Sequence, residues 1–295
     1  MNLFHKKDQY KGYNIYSMKK YVDKKRIIFT TIIVILIIIT LGFIIYYSVD
    51  TTIRLKNAKR FEQKLIEYES SQEELQKQEK ERQAKIPKLT DEGKQNIKGI
   101  YKSETKRVFL TFDDGPSVNT ADVLDILKSN DIKATFFVLG TQVEKMPEMV
   151  KRAYQEGHYI ANHGYSHQYS QIYSSPETVL QEFNQCNSAV AKAIDVPEYN
   201  SHLFRFPGGS VGGKYANLKA EAVTLLEQNN IMHVDWNALT GDAEKSSPDE
   251  EYLMNNLQKT TQNKNSIVIL MHDAQAKRVT VEFLPKLIEF FQQQG

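Results

Sequence analysis

Hydrophobic and polar positions divide the chain into three stretches. The first ends in an uncharged run, "IIFTTIIVILIIITLGFIIYY", from Ile27 to Tyr47. That run reaches the roughly 20 apolar residues a helix needs to cross a bilayer. Residues 48–99 are polar and dense in Glu, Gln and Lys. Ala58, Phe61, Leu65, Tyr68 and Leu75 fall near heptad spacing, but Gln72 and Glu79 stand where the apolar seam should continue. The pattern predicts a solvated helical stalk rather than a coiled coil, closed by Pro87 and Gly93.

From residue 100 to 295 short apolar runs alternate with amphipathic segments. "RVFLTF", "KATFFVLG", "HYIANH", "LFRFP", "IMHVDW" and "SIVILMH" read as strands. "TADVLDILKSN", "PEMVKRAYQEG", "PETVLQEFNQCNSAVAKAI", "YANLKAEAVTLLEQNN", "PDEEYLMNNLQKT" and "TVEFLPKLIEFFQQQ" read as helices. Strand–helix alternation predicts an α/β domain of parallel strands with helical crossovers, either a small (β/α) barrel or an open doubly wound sheet. Periodicity does not separate the two.

Charge refines the reading of the N-terminal part. Residues 1–26 carry eight basic side chains (Lys6, Lys7, Lys11, Lys19, Lys20, Lys24, Lys25 and Arg26) against Asp8 and Asp23. A basic flank before an apolar run predicts a cytoplasmic N-terminus, and "YYSVDTT" is a poor cleavage site for a signal peptide. The expectation is a retained signal anchor over 27–47, with everything beyond Asp50 outside the cell. Arg54, Lys56, Lys59 and Arg60 on the far side weaken this bias without reversing it. Met18, as an alternative start of translation, would leave the flank basic.

Composition excludes several classes of function. The chain has 295 residues, of which 41% are hydrophobic, enough for one sizeable core with appendages. Its net charge is +2, so with +6 before the apolar run the remainder carries −4. A mildly acidic body argues against nucleic acid as partner. The single cysteine, Cys186, has no intrachain disulfide partner and reads as core. "GGSVGGKY" fits the phosphate-loop pattern up to its lysine, but Tyr215 replaces the hydroxyl residue that would hold magnesium, so no nucleotide is expected.

The remaining polar residues cluster by position. Asp113 and Asp114 follow the first predicted strand, and His163 and His167 follow the third. Arg205 ends the fourth, Asp235 and Asp242 follow the fifth, and His272 ends the last. Parallel α/β folds gather catalytic groups at the carboxyl ends of their strands. Singly, each has a plain explanation: "DDG" is a turn signal, the arginine a partnered charge, His272 a core histidine and Trp236 a core aromatic. Their shared placement has none. Two histidines at i and i+4 with neighbouring acids make a divalent-metal site with three protein ligands and an open position, which is a catalytic arrangement. His₂Asp suits Zn²⁺ best, with Co²⁺, Mn²⁺ or Ni²⁺ also possible. Neighbouring strand residues point opposite ways, so one aspartate reaches the ion and the other is left for proton transfer.

In order, "TFDDG", "H-x-x-x-H", "R-x-P", a downstream Asp and "LMH" resemble the motifs of the NodB-homology polysaccharide deacetylases, carbohydrate esterase family 4, over residues 100–295. The anchor and stalk resemble those of membrane-bound peptidoglycan N-acetylglucosamine deacetylases. The resemblance implies a distorted (β/α) barrel and hydrolysis of N-acetyl groups on a cell-wall glycan. It implies Asp113 as base, Asp114, His163 and His167 as metal ligands, Arg205 as holder of the base and His272 as general acid. It places Asp242, with Asp235 as rival, beside His272, and puts Pro207, the Gly208 N–H, Leu270 and Trp236 around the oxyanion and substrate. Three residues depart from the pattern: Gly164 for Ser or Thr, Gly208 for an aromatic and Ala243 for Trp. Their loss predicts a wider, less aromatic groove. An O-acetyl esterase acting on a polysaccharide such as xylan, or an inactive metal-retaining glycan-binding module, are the competing expectations.

Overall fold

The computed structural model describes residues 15–295. The first fourteen residues of the predicted basic segment, with Lys6, Lys7, Asp8 and Lys11, lie outside the described residues. Two compact units are present, divided between Glu79 and Lys80. The first is carried by helix α1 (Ile15–Lys85), which joins the predicted anchor and stalk without a break. Among the described residues it is the one helix long and apolar enough to cross a membrane, and its most apolar stretch is exposed on all sides. A helix apolar all round needs an apolar medium to cover it. Gly93, expected to close the stalk, instead lies inside a second helix, α2 (Asp91–Lys98), where Thr90 caps it by accepting from the Gly93 N–H at 3.0 Å.

The second unit, Lys80–Gly295, is built on seven parallel strands. Strand β1 (Arg107–Asp113) leads to α3 (Val118–Ser129), and β2 (Thr135–Val138) to α4 (Gly140–Lys145) and α5 (Pro147–Gln155). Strand β3 (Tyr159–Asn162) leads to α6 (Tyr169–Ile172) and α7 (Pro176–Ile194), and β4 (Leu203–Phe204) to α8 (Ala216–Gln228). Then come β5 (Met232–His233), β6 (Ala238–Leu239), α9 (Glu250–Thr261), β7 (Ser266–His272) and α10 (Arg278–Gln294). The spatial order is β5-β4-β3-β2-β1-β7-β6. No pairing joins β5 to β6 among the described residues, so the sheet forms an incompletely closed, distorted (β/α) barrel. All six predicted strands and six predicted helices are present. The two-residue β6, the four-residue α6 and the six-residue α4 were not anticipated, being too short to carry a periodicity.

Alternation along the strands places the site. Leu110, Phe112, Phe136, Val138, Ile160, Ile267, Ile269 and Met271 join the main core with residues of α3, α5, α7, α9 and α10. The intervening residues face the other way. Thr111 and Asp113 therefore share the inner face with Leu270 and His272, their register partners on β7. Phe137, Ala161 and Val234 form a small separate cluster, and the fully buried Arg205 stacks at 3.9 Å over the Phe137 ring. Outer strand residues hold the fold while inner ones are free for chemistry. Cys186 is buried in the core, as expected.

Candidate active site at the carboxyl ends of the strands

Asp113 ends β1 with 2% of its surface exposed. Arg205 donates to its Oδ1 at 2.8 Å and to Thr111 Oγ1 at 2.7 Å. The same guanidinium is spread over two backbone carbonyls, those of Val234 (3.1 Å) and Asp235 (3.0 Å). Arg205 is thus locked by four acceptors, and in turn fixes the Asp113 carboxylate. Burial pushes the Asp113 carboxyl above its usual range, while Arg205 and His272 pull it back. A carboxylate tuned upward accepts a proton more readily near neutral pH.

Asp114 leaves the strand at φ 70 and faces two imidazoles. Its Oδ1 lies 3.5 Å from His163 Nε2 and 3.4 Å from His167 Nε2. The i, i+4 spacing of the histidines is not helical as the sequence allowed: His163 follows β3, Gly164 sits at φ 91 and His167 at φ 58. The turn rests on Glu182 of α7, which is almost fully buried. Its carboxylate accepts from the N–H groups of Tyr165 (2.6 Å) and Ser166 (2.7 Å) and from Ser166 Oγ (2.7 Å). A carboxylate from another element thus holds the turn between the two histidines. Chain separation hid Glu182 from the sequence reading.

The donor set fits a divalent ion. One ligand atom from each of Asp114, His163 and His167 lies within 4.8 Å of the others. His163 Nδ1 must donate to the Arg205 carbonyl at 2.8 Å, which leaves its Nε2 lone pair directed at Asp114. Burial holds that imidazole neutral, lowering its pKa to about 3. Asp114 Oδ1 is itself buried without a hydrogen-bond partner. An unpartnered carboxylate oxygen facing the lone pair of a neutral imidazole is an arrangement that a cation fills.

On the other side stands His272, the register partner of Asp113. Its Nδ1–H donates to Asp242 Oδ1 at 3.0 Å, and its backbone N–H to Oδ2 at 2.8 Å. Thr280 adds a third bond to Asp242 at 2.7 Å. Burial alone would lower the His272 pKa, but the bond and charge of Asp242, with Asp113 and Asp114, outweigh it and raise it to about 9. Asp242 feels the converse: burial disfavours its charge, yet its three hydrogen bonds and the imidazolium hold it below the usual carboxylate range. Asp235, the rival candidate, turns away and accepts from Ser210 N–H (3.0 Å) and Oγ (2.6 Å).

A cavity of about 350 Å³ opens onto these groups, walled by Leu270, Trp236, Gly208 and Tyr169. Pro207 does not line it; its carbonyl accepts from the Tyr173 hydroxyl at 2.7 Å. The Gly208 N–H has no protein acceptor among the described residues. A larger cleft of about 860 Å³ lies at the amino ends of β1 and β7, but no Asp, Glu or His side chain lines it. Besides Glu182, two residues near the site escaped the sequence reading. Asp273 is buried so tightly against Gly115 that a Cβ there would fall 2.3 Å from both carboxyl oxygens. Burial pushes its pKa up to about 7, against a hydrogen bond from Thr120 at 2.5 Å. The other is Tyr169, whose position beside His167 was the available signal.

Residues 101–225 match the family model for polysaccharide deacetylases. The Bacillus subtilis protein YheN is 35% identical over 195 residues, covering 64% of this chain and 65% of YheN. A Bacillus cereus peptidoglycan-N-acetylglucosamine deacetylase is 32% identical over 197 residues, 65% of this chain and 68% of the relative. Among solved structures, a CE4 esterase from Streptococcus mutans superposes with a TM-score of 0.62 at 30% identity, covering 68% of this chain and 87% of that one. The chain thus spans about two thirds of the length of these two relatives. Fold and site define a parallel α/β hydrolytic domain. The chain belongs to the polysaccharide deacetylase family, the CE4 hydrolases.

Proposed function

We propose that this protein removes N-acetyl groups from N-acetylglucosamine residues of a cell-wall glycan, peptidoglycan foremost. One observation carries the reading. A carboxylate held by a buried arginine (Asp113) and an imidazole held by a buried carboxylate (His272) flank the Asp114–His163–His167 cluster in a single cavity. A module that only bound glycan would need neither an organised base nor an organised acid. The names of relatives, peptidoglycan-N-acetylglucosamine deacetylases of Bacillus cereus and Listeria monocytogenes, support the substrate.

Asp114, His163 and His167 would hold the metal, for which Zn²⁺ suits the donors best. A divalent ion there supplies Lewis acidity, polarising the acetyl carbonyl and making water nucleophilic near neutral pH. Asp113 takes the proton of the attacking water while Arg205 holds its other oxygen in place. The Gly208 N–H donates to the carbonyl oxygen as negative charge grows there. His272 then passes its proton to the sugar nitrogen as the C–N bond breaks, leaving acetate and a free amine. Asp242 keeps His272 oriented and charged until that transfer.

We read the helix over 27–47 as a membrane anchor with a cytoplasmic N-terminus, presenting the hydrolase unit to the wall. The basic flank and the exposed apolar run support this orientation.

Acetate release from N-acetylated chito-oligosaccharides and from O-acetylated xylan, measured side by side, tests the function. Release from the first, abolished by a chelator and restored by zinc or cobalt, is the expected result. Release from xylan alone would favour the esterase reading, which the bifunctional xylanase/deacetylase relative of Pseudobutyrivibrio xylanivorans keeps open. The pH profile supplies a second check. His272 keeps its proton up to about pH 9, so kcat/KM should hold through neutral pH and fall as the pH rises through that value. Asp242→Asn removes the charge that outweighs burial, so this basic limb should move toward neutral pH. An unmoved limb would remove His272 from the role of acid.

A further inference from the structure

We infer that Tyr169 is a substrate-binding residue, supplying to the glycan groove the aromatic wall that position 208 no longer carries. The inference deepens the deacetylase reading and rests on it. Tyr169 opens the short helix α6 and lines the catalytic cavity. Its ring is fixed from two sides, by His167 at 5.5 Å and by Tyr173 at 5.6 Å between centroids. Tyr173 is in turn tied to the Pro207 carbonyl at 2.7 Å, so the ring is referenced to the loop that carries Gly208.

The Tyr169 hydroxyl lies only 2.7 Å from where a Cβ on residue 208 would stand. No side chain can occupy 208 while Tyr169 holds this position, and the backbone at φ 75 disfavours one as well. Glycine at 208 and tyrosine at 169 are therefore one device: the aromatic is delivered from across the cavity. Tyr169 and Trp236 both wall the groove, so it keeps aromatic surface despite glycine at 208.

The hydroxyl has no hydrogen-bond partner among the described residues, although Tyr169 lines the same cavity as Asp114 and His167. Its ring is placed to pack on a sugar face and its O–H to bond a sugar hydroxyl or acetamido group, as phenols at carbohydrate-sized sites can do. Such a contact is the same in the ground and transition states, so its loss should appear in KM.

Chitotetraose is the probe, with acetate release and bound zinc measured on the full chain. Tyr169→Phe should raise KM roughly three- to tenfold, the worth of one neutral hydrogen bond, with kcat within about twofold and zinc content unchanged. Gly208→Ala should cost more kcat/KM in the native background than in Tyr169→Ala, because the clash exists only in the first; the left-handed backbone burdens both arms equally. Unchanged KM in Tyr169→Phe would remove the hydroxyl contact, and unchanged KM in Tyr169→Ala as well would overturn the inference. So would equal Gly208→Ala costs in the two backgrounds, or zinc loss matching the activity loss, which would make Tyr169 a prop for His167. Calorimetric binding of chitotetraose to Asp113→Asn, with and without Tyr169→Ala, separates the two readings. Weaker binding in the double variant upholds the role of Tyr169 even if the native protein releases no acetate; equal binding refutes it.

Discussion

Asp113→Asn should retain stoichiometric zinc, still bind chitotetraose and release acetate about 10²–10⁴ times more slowly, the usual cost of losing a general base. The substitution is nearly isosteric, and Arg205 can still donate to the amide oxygen, so the pocket survives. Asp114→Asn should fail in another way. Asp114 Oδ1 faces both histidines and has no hydrogen-bond partner, so an amide there removes the only negative charge from the donor set. Zinc affinity and turnover should then fall together. Metal content and acetate release measured on both variants in parallel decide the matter. Zinc lost from Asp113→Asn and kept in Asp114→Asn would mean the two carboxylates are interchanged.

Arg205→Met should destabilise the hydrolase unit by about 3–5 kcal/mol, the range for breaking a buried ion pair from one side. Arg205 is fully buried and Asp113 is 2% exposed, so water cannot replace the lost partner. The loss should also depend on pH. With Arg205 gone, the charge that opposes burial at Asp113 disappears and the native carboxyl holds its proton more tightly than the unfolded one. Native protein then binds more protons than unfolded protein, so stability falls as pH rises above the ordinary carboxylate range near 4 and recovers toward acid. Urea unfolding at pH 5 and pH 8 measures this. A deficit that does not vary with pH would show that packing over Phe137, rather than the ion pair, is what the arginine contributes.

The chain order of the chemistry was legible without coordinates. Parallel strands put their carboxyl ends on one rim, so Asp113, His163, Arg205 and His272 had to meet once the strand–helix alternation was recognised. Period-two alternation likewise separated core residues such as Phe112 and Met271 from the inward Asp113 and His272. The apolar run over 27–47 was equally plain, since length and absence of charge are local properties.

What tertiary structure decided depended on contacts between distant segments. Asp242 and Asp235 look alike along the chain, and only the approach of β6 to β7 gives Asp242 the His272 imidazole while Asp235 goes to Ser210. The His163–His167 spacing fits a helix, yet the turn is held by Glu182 from α7, fifteen or more residues away, and its geometry is that of a loop. Gly208 read as a lost aromatic because sequence records which side chain is absent at a position and not which one has moved in from elsewhere. The Tyr169 hydroxyl fills that space from α6. Local pattern specifies faces and order, because these follow from backbone geometry. Partner choice among like residues follows from packing, which brings together segments that the sequence keeps apart.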